Sequence, residues 1–196
     1  MRNSCLFIFF VVCASWLKAG EIISAVDTRA EILSIEKAIY DLTDITVLSR
    51  STQFLSFRES ISEAKATEIV CMIRSKELKS DGALIGLFAM EVLPEERYWA
   101  VTAPLLSGDL DQSVLARVLM CPFPYGPGYA NCIKNDTVRS KLKALNSAPE
   151  CDDNVKNWIS FILSGEAAKA YAKFKKDPVQ FGYPSKYLLP RSQRSK

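Results

Sequence analysis

Ser62-Glu63-Ala64-Lys65 carries the S-x-x-K spacing by which serine–lysine acyl enzymes set an amine one helical turn from a nucleophilic hydroxyl. Glu95 beside Glu96, and Asp109 close to Asp111, offer paired carboxylates, which hydrolyse glycosidic bonds without an imidazole. Cys71, Cys121, Cys132 and Cys151 bring sulfur that bonds to another sulfur or to a metal. Against these stands one absence: the 196 residues include no histidine, which excludes Ser-His-Asp triads, Cys-His dyads and most catalytic zinc sites.

Each candidate also has a plainer explanation. The S-x-x-K match lacks its partner motifs: Ser80-Asp81-Gly82 is the nearest approach to S-D-N, only 15 residues beyond Lys65, and no K-T-G occurs. An ordinary solvent-facing first helical turn accounts for it. Acids at helix starts, including Asp152-Asp153 after Pro149-Glu150, are favoured by the positive end of the helix dipole. The cysteines lie 50, 11 and 19 residues apart without C-x-x-C, so disulfides are a simpler expectation than zinc. No EF-hand, phosphate loop or dinucleotide fingerprint is present. The expectation is therefore no catalytic residue, no metal and no cofactor.

Residues 1–19 have the anatomy of a secretory signal peptide: Arg2, an apolar run from Leu6 to Val12, then small and polar residues to Lys18-Ala19. The apolar core is about half the roughly 20 residues a spanning helix needs, so no stable membrane anchor is expected after cleavage. Val12 stands before Cys13 where a lipoprotein signal has a small residue. Cleavage after Ala19 removes Arg2, Lys18, Cys5 and Cys13, and the formal charge falls from +3 to +1. The four cysteines left are an even set, which in a periplasmic or secreted protein reads as two disulfides. Cys121 with Cys132 brackets a Pro- and Gly-rich loop, which leaves Cys71 with Cys151.

The elements that must position these groups are helical. Thr28-x-x-Glu31 is a capping box ahead of Ile32, Ile35, Ile39 and Leu42, predicting a helix to about Leu48. Ser60-x-x-Glu63 opens a second, with Ala66, Ile69, Val70 and Ile73 on one face to about Leu78. Ala83 to Leu93 is apolar nearly all round and reads as a buried helix, since no strand signal exists to pair with it. Pro94 with Glu95 and Glu96 starts the next, and Pro104 stops it. Asp109 is the expected N-cap of a helix carrying Leu110, Val114, Leu115, Val118 and Leu119. Further helices are expected from Asp136 to about Leu145, from Pro149 to Gly165, and over Ala167 to Phe174. The result is all-α: seven or eight short helices in an irregular bundle or helical hairpins, disulfide-stabilised. A helical domain spans 20–176, followed by a basic tail at 177–196.

Two segments fall outside the helical pattern. Residues 122–131 hold three prolines and two glycines among Phe123, Tyr125 and Tyr129. A loop so restricted loses little entropy on binding, and its aromatics suit a protein partner; the alternative is that they pack back onto the helices. From Lys175 onward six basic residues accompany one acid. Charge spread so thinly reads as a solvated terminus, and no nucleic-acid partner is expected. Asn135-Asp136-Thr137 is a formal N-glycosylation acceptor, relevant only in a eukaryotic secretory pathway.

Helices in sequential pairs over Asp81 to Lys176, with Asp136-Thr137-Val138-Arg139 placed like the opening of a repeat's second helix, resemble HEAT-like repeats. That resemblance implies a concave binding face. Small exported helical proteins with two disulfides also resemble periplasmic immunity proteins, which implies a toxin as partner. The expected function is thus non-catalytic protein binding. A cell-envelope adaptor is the first alternative, and a peptidoglycan-active enzyme using Glu95 and Glu96 is the second.

Overall fold

A computed structural model describes residues 28–39, 48–123 and 126–177. The described residues hold nine α-helices and no strand: α1 (28–38), α2 (Thr52–Glu59), α3 (Glu63–Arg74), α4 (Ser80–Ala89), α5 (Glu95–Thr102), α6 (Gln112–Met120), α7 (Asp136–Asn146), α8 (Asp153–Leu163) and α9 (Glu166–Lys176). Single 3₁₀ turns at Met90–Val92 and Ala103–Leu105 follow α4 and α5. The fold is all-α as expected, with one helix more than the sequence indicated. That helix is α2, whose eight residues bury only Phe54 and Phe57, too few apolar positions to establish a period. The signal-like segment, Tyr125, residues 40–47 of the expected first helix and the tail from residue 178 lie outside the described residues.

Most helix starts fall where a capping side chain can satisfy free amides, though not always at the expected residue; Pro94 ahead of α5 and Gly165 ahead of α9 supply no such side chain. Ser62, not Ser60, caps α3 by accepting from the Lys65 amide at 3.2 Å. Ser60 instead closes α2, its hydroxyl donating to the Phe57 carbonyl at 2.7 Å. Asp111, not Asp109, caps α6 by accepting from the amides of Ser113 and Val114. Asn135 and Asp152 cap α7 and α8 in the same manner. Pro94 sits one position outside α5, and Pro104 lies in the 3₁₀ turn that ends it.

The described residues cluster into two compact units that divide between Gly86 and Leu87. In the first, Ile32 and Ile35 of α1, Phe54 and Phe57 of α2, and Ala66, Ile69 and Ile73 of α3 are buried. Each isoleucine or phenylalanine side chain among these contributes about 1.5–3 kcal/mol on leaving water. Gly86 of α4 is required by packing, since a Cβ there would stand 2.6 Å from Ile69 Cγ2. Polar bridges complete this unit: Thr28 Oγ1 donates to Glu68 at 2.8 Å, and Lys65 Nζ meets Glu31 at 2.5 Å.

In the second unit α8 is central, packed against α6, α7 and α9 through Val155, Ile159 and Ile162, all buried. The amphipathic face of α6 supplies Val114, Leu115, Val118 and Leu119. The turn into α9 passes through Gly165.

The expected disulfides are corrected. Cys71, Cys121, Cys132 and Cys151 are free thiols, so neither Cys121 with Cys132 nor Cys71 with Cys151 is bonded. Cys71 belongs to the first unit and Cys151 to the second. Cys121 and Cys132 bracket the loop but face different neighbours: the Cys121 thiol engages Tyr98 and Glu91, whereas Cys132 lies in the field of Glu95. Stability here comes from packing, with Cys121, Cys132 and Cys151 acting as small buried groups while Cys71 is exposed.

Candidate functional site

The Pro- and Gly-rich segment between α6 and α7 is held by side chains from two helices, α5 and α9. Three aromatic donors point their polar atoms at backbone carbonyls: Tyr98 Oη to Val118 at 2.8 Å, Trp99 Nε1 to Gly128 at 3.1 Å, and Tyr171 Oη to Gly126 at 2.7 Å. Tyr129, within the segment, donates back to the Leu119 carbonyl of α6 at 2.9 Å. Glu95 Oε1 completes the set, accepting from the amides of Asn131 at 2.5 Å and Cys132 at 3.0 Å. Irregular backbone cannot satisfy its own polar groups, so these partners let the segment be buried.

The rings pack on one another as well. Tyr98 meets Trp99 edge-on with centroids 5.3 Å apart, Trp99 meets Tyr129 at 6.2 Å, and Tyr129 meets Tyr171 edge-on at 6.5 Å. Such arrangements add about 0.5–1.5 kcal/mol each beyond area burial. Gly128, at φ 110°, fits where a side chain does not: the backbone is left-handed and a Cβ would stand 3.0 Å from the Tyr171 ring.

Burial dominates the electrostatics of this cluster. It pushes the Cys121 thiol and the Tyr98 and Tyr129 phenols well up, so all three stay protonated and serve as hydrogen-bonding or packing groups. Cys132 is likewise held up by burial and by the Glu95 charge. A thiol so disposed is inert as a nucleophile. Glu95 itself is raised by desolvation, although the two backbone amides and Lys134 pull in the opposite direction.

The expected partner-binding residues sort differently. Tyr129 is completely buried, the packed-back arrangement, and presents no surface. Phe123 is half-buried against Phe174 of α9, ring centroids 5.8 Å apart. Tyr125 lies outside the described residues. What the loop shows to solvent is a short rim of Ala130, Asn131 and Lys134, all exposed. Beside that rim lies an open cleft of about 230 Å³, lined by Glu96, Trp99, Asn131, Lys134 and Asn135. The sequence did not single out this cleft, because its lining comes from α5 and from the segment ahead of α7, more than 30 positions apart and with α6 between them.

The candidate catalytic groups are engaged elsewhere. Lys65 Nζ is bound to Glu31, donates to Ser60 Oγ at 2.9 Å and sits 4.9 Å from the Phe57 ring centroid, while Ser62 is an N-cap. These contacts engage the Lys65 amine with groups other than the Ser62 hydroxyl. Glu95 turns toward the loop amides, away from pairing with Glu96 in a two-carboxylate arrangement. Asp111 caps α6, and its hydrogen bond from the Ser113 hydroxyl lowers its carboxyl. No cluster of three or more Cys, Asp or Glu suited to a metal occurs among the described residues, and none of their helices is long and apolar enough to cross a membrane.

The chain matches no protein family, no characterised protein and no solved structure.

Proposed function

We propose that this is an exported, non-catalytic protein that binds another protein, with the pinned loop between α6 and α7 as the contact element. The observation that carries this reading is the anchoring of the loop: Trp99, Tyr171 and Glu95 bond its backbone, Tyr129 ties it to α6, and Tyr98 ties α5 to α6 beside it. Such rigidity removes entropy before binding and suits a recognition surface. Phe123 at one end and Ala130 with Asn131 at the other are the positions for contact. A toxin delivered into the bacterial periplasm is the partner class proposed, as for immunity proteins, and a cell-envelope adaptor role is the alternative. Engagement of Glu95 by the loop lends support to binding over carboxylate catalysis.

The test is protection. Cells producing this chain together with the product of an adjacent toxin-like reading frame should survive. An Ala130→Arg variant, altered only at an exposed loop position, should lose protection and complex formation while keeping its melting temperature. Survival with Ala130→Arg equal to that of the unaltered chain removes the loop as the contact element. Failure of the unaltered chain to protect removes the immunity reading.

A further inference from the structure

The cleft beside the loop holds two charges of opposite sign that do not neutralise each other. Glu96 is in the first turn of α5, and Lys134 immediately precedes Asn135, the N-cap of α7. Both are exposed and both line the cleft, yet among the described residues neither forms an ion pair or a side-chain hydrogen bond. Asn131 uses its backbone amide on Glu95, leaving its carboxamide available. Asn135 accepts from the Val138 amide through Oδ1, which leaves Nδ2 as a donor. Trp99 closes the floor with its Nε1 already bonded to Gly128, so it offers apolar contact only.

We propose that this cleft binds a small zwitterion, a free amino acid or short peptide, with its ammonium at Glu96 and its carboxylate at Lys134. A simple anion would meet Glu96, and a simple cation would meet Lys134; a ligand bearing both charges satisfies both. The carboxamides of Asn131 and Asn135 then bind carboxylate oxygens or a peptide group. The volume of about 230 Å³ lies below the roughly 300–1,000 Å³ of pockets for drug-sized ligands and suits an amino acid or small dipeptide. The scaffold is fixed beforehand, because Glu95, the Trp99 indole and the Asn135 cap hold the walls. This inference concerns the cleft alone and does not depend on the protein partner proposed above.

The experiment uses glycylglycine, N-acetylglycylglycine and glycylglycinamide as probes, each titrated calorimetrically into the full chain up to millimolar concentration. Glycylglycine should bind, and blocking either end should weaken binding roughly tenfold or more. Glu96→Gln should erase the penalty for acetylation while keeping that for amidation, and Lys134→Met should do the reverse. Both positions are exposed, so the melting temperatures of the two variants should match that of the unaltered chain. Absence of glycylglycine binding overturns the proposal. So does equal binding of all three probes, or a loss of binding in both variants that ignores which end is blocked.

Discussion

The two compact units join their elements by different means. In the first, polar contacts run between side chains of different helices, with Thr28 reaching Glu68 and Lys65 reaching Glu31, over a core of aliphatic side chains with Phe54 and Phe57. In the second, five side chains reach backbone atoms of a loop or adjoining turn, and four of those side chains are aromatic. The difference follows from what is being held. Helices satisfy their own backbones and need only side-chain contact with each other, whereas a segment with three prolines and two glycines brings unsatisfied carbonyls and amides that must be met from outside.

The sharpest way to break this contrast is to remove an aromatic that both packs and bonds. Trp99→Ala and Tyr129→Ala should each cost about 3–5 kcal/mol, the range for deleting a buried ring. Tyr129→Phe separates the two contributions: keeping the ring but orphaning the Leu119 carbonyl should cost about 1–2 kcal/mol. Denaturant melts of the three variants are the measurement. If Tyr129→Phe matches the unaltered chain, the hydroxyl contributes no net stability and the loop is held by ring packing.

Glu95 gives the next largest effect and adds a pH signature. Glu95→Ala leaves the Asn131 and Cys132 amides without their acceptor and should cost about 2 kcal/mol. Glu95→Gln keeps an acceptor oxygen and should recover most of that loss. Because burial raises this carboxyl, the native chain holds its proton to higher pH than the unfolded chain does. This group's contribution therefore falls as pH rises from the ordinary glutamate range through the raised value, and below that range the penalty is absent. Glu95→Gln, uncharged throughout, should flatten that part of the stability profile. A profile that overlays the unaltered one assigns the slope to other groups.

The same residue marks where sequence reading stops. Helix content and most helix starts were legible because apolar period and capping chemistry are local: Asn135 and Asp152 cap helices within a few residues of the expected starts. Where two capping residues compete, local chemistry does not decide. Ser60 and Ser62 both qualify, and Ser60 is drawn away by the end of α2, a helix too sparsely apolar to be noticed. Glu95 was read as a carboxylate serving the α5 dipole or catalysis, but its bonds go to residues 36 and 37 positions later, a distance no local pattern carries. Cysteine parity failed for a related reason. An even count says nothing of direction, and Cys121 turns to Tyr98 and Glu91 in a buried cluster.

In the first unit the corresponding break is smaller and depends on salt. Lys65 is largely covered, with side-chain exposure of 15%, but its partner Glu31 is 37% exposed, so solvent screens the pair. Lys65→Met keeps most of the contact with Phe57 and should cost about 1 kcal/mol or less at low ionic strength. The loss should shrink further at about 1 M salt, where the screening length is roughly 3 Å. The cost of Tyr129→Phe, a buried neutral bond, should not change with salt. Parallel salt titrations of the two variants check the comparison, and equal salt dependence contradicts it.

The least perturbing probe changes no residue at all. Cys71 of α3 is exposed, while Cys121 and Cys132 at the two ends of the loop are buried with their thiols held protonated by desolvation. Alkylation needs both access and thiolate, so Cys71 should be modified in the native protein while Cys121 and Cys132 wait for opening of the structure. Peptide mapping by mass spectrometry resolves each site in the full chain. In rising denaturant, modification of Cys121 and Cys132 should begin together, because Tyr98, Tyr129 and Glu95 tie both ends of the loop to the same surroundings. Labelling of Cys132 at denaturant concentrations that leave Cys121 protected would show that Glu95 releases the far end of the loop independently, and that the aromatic contacts hold only the near end.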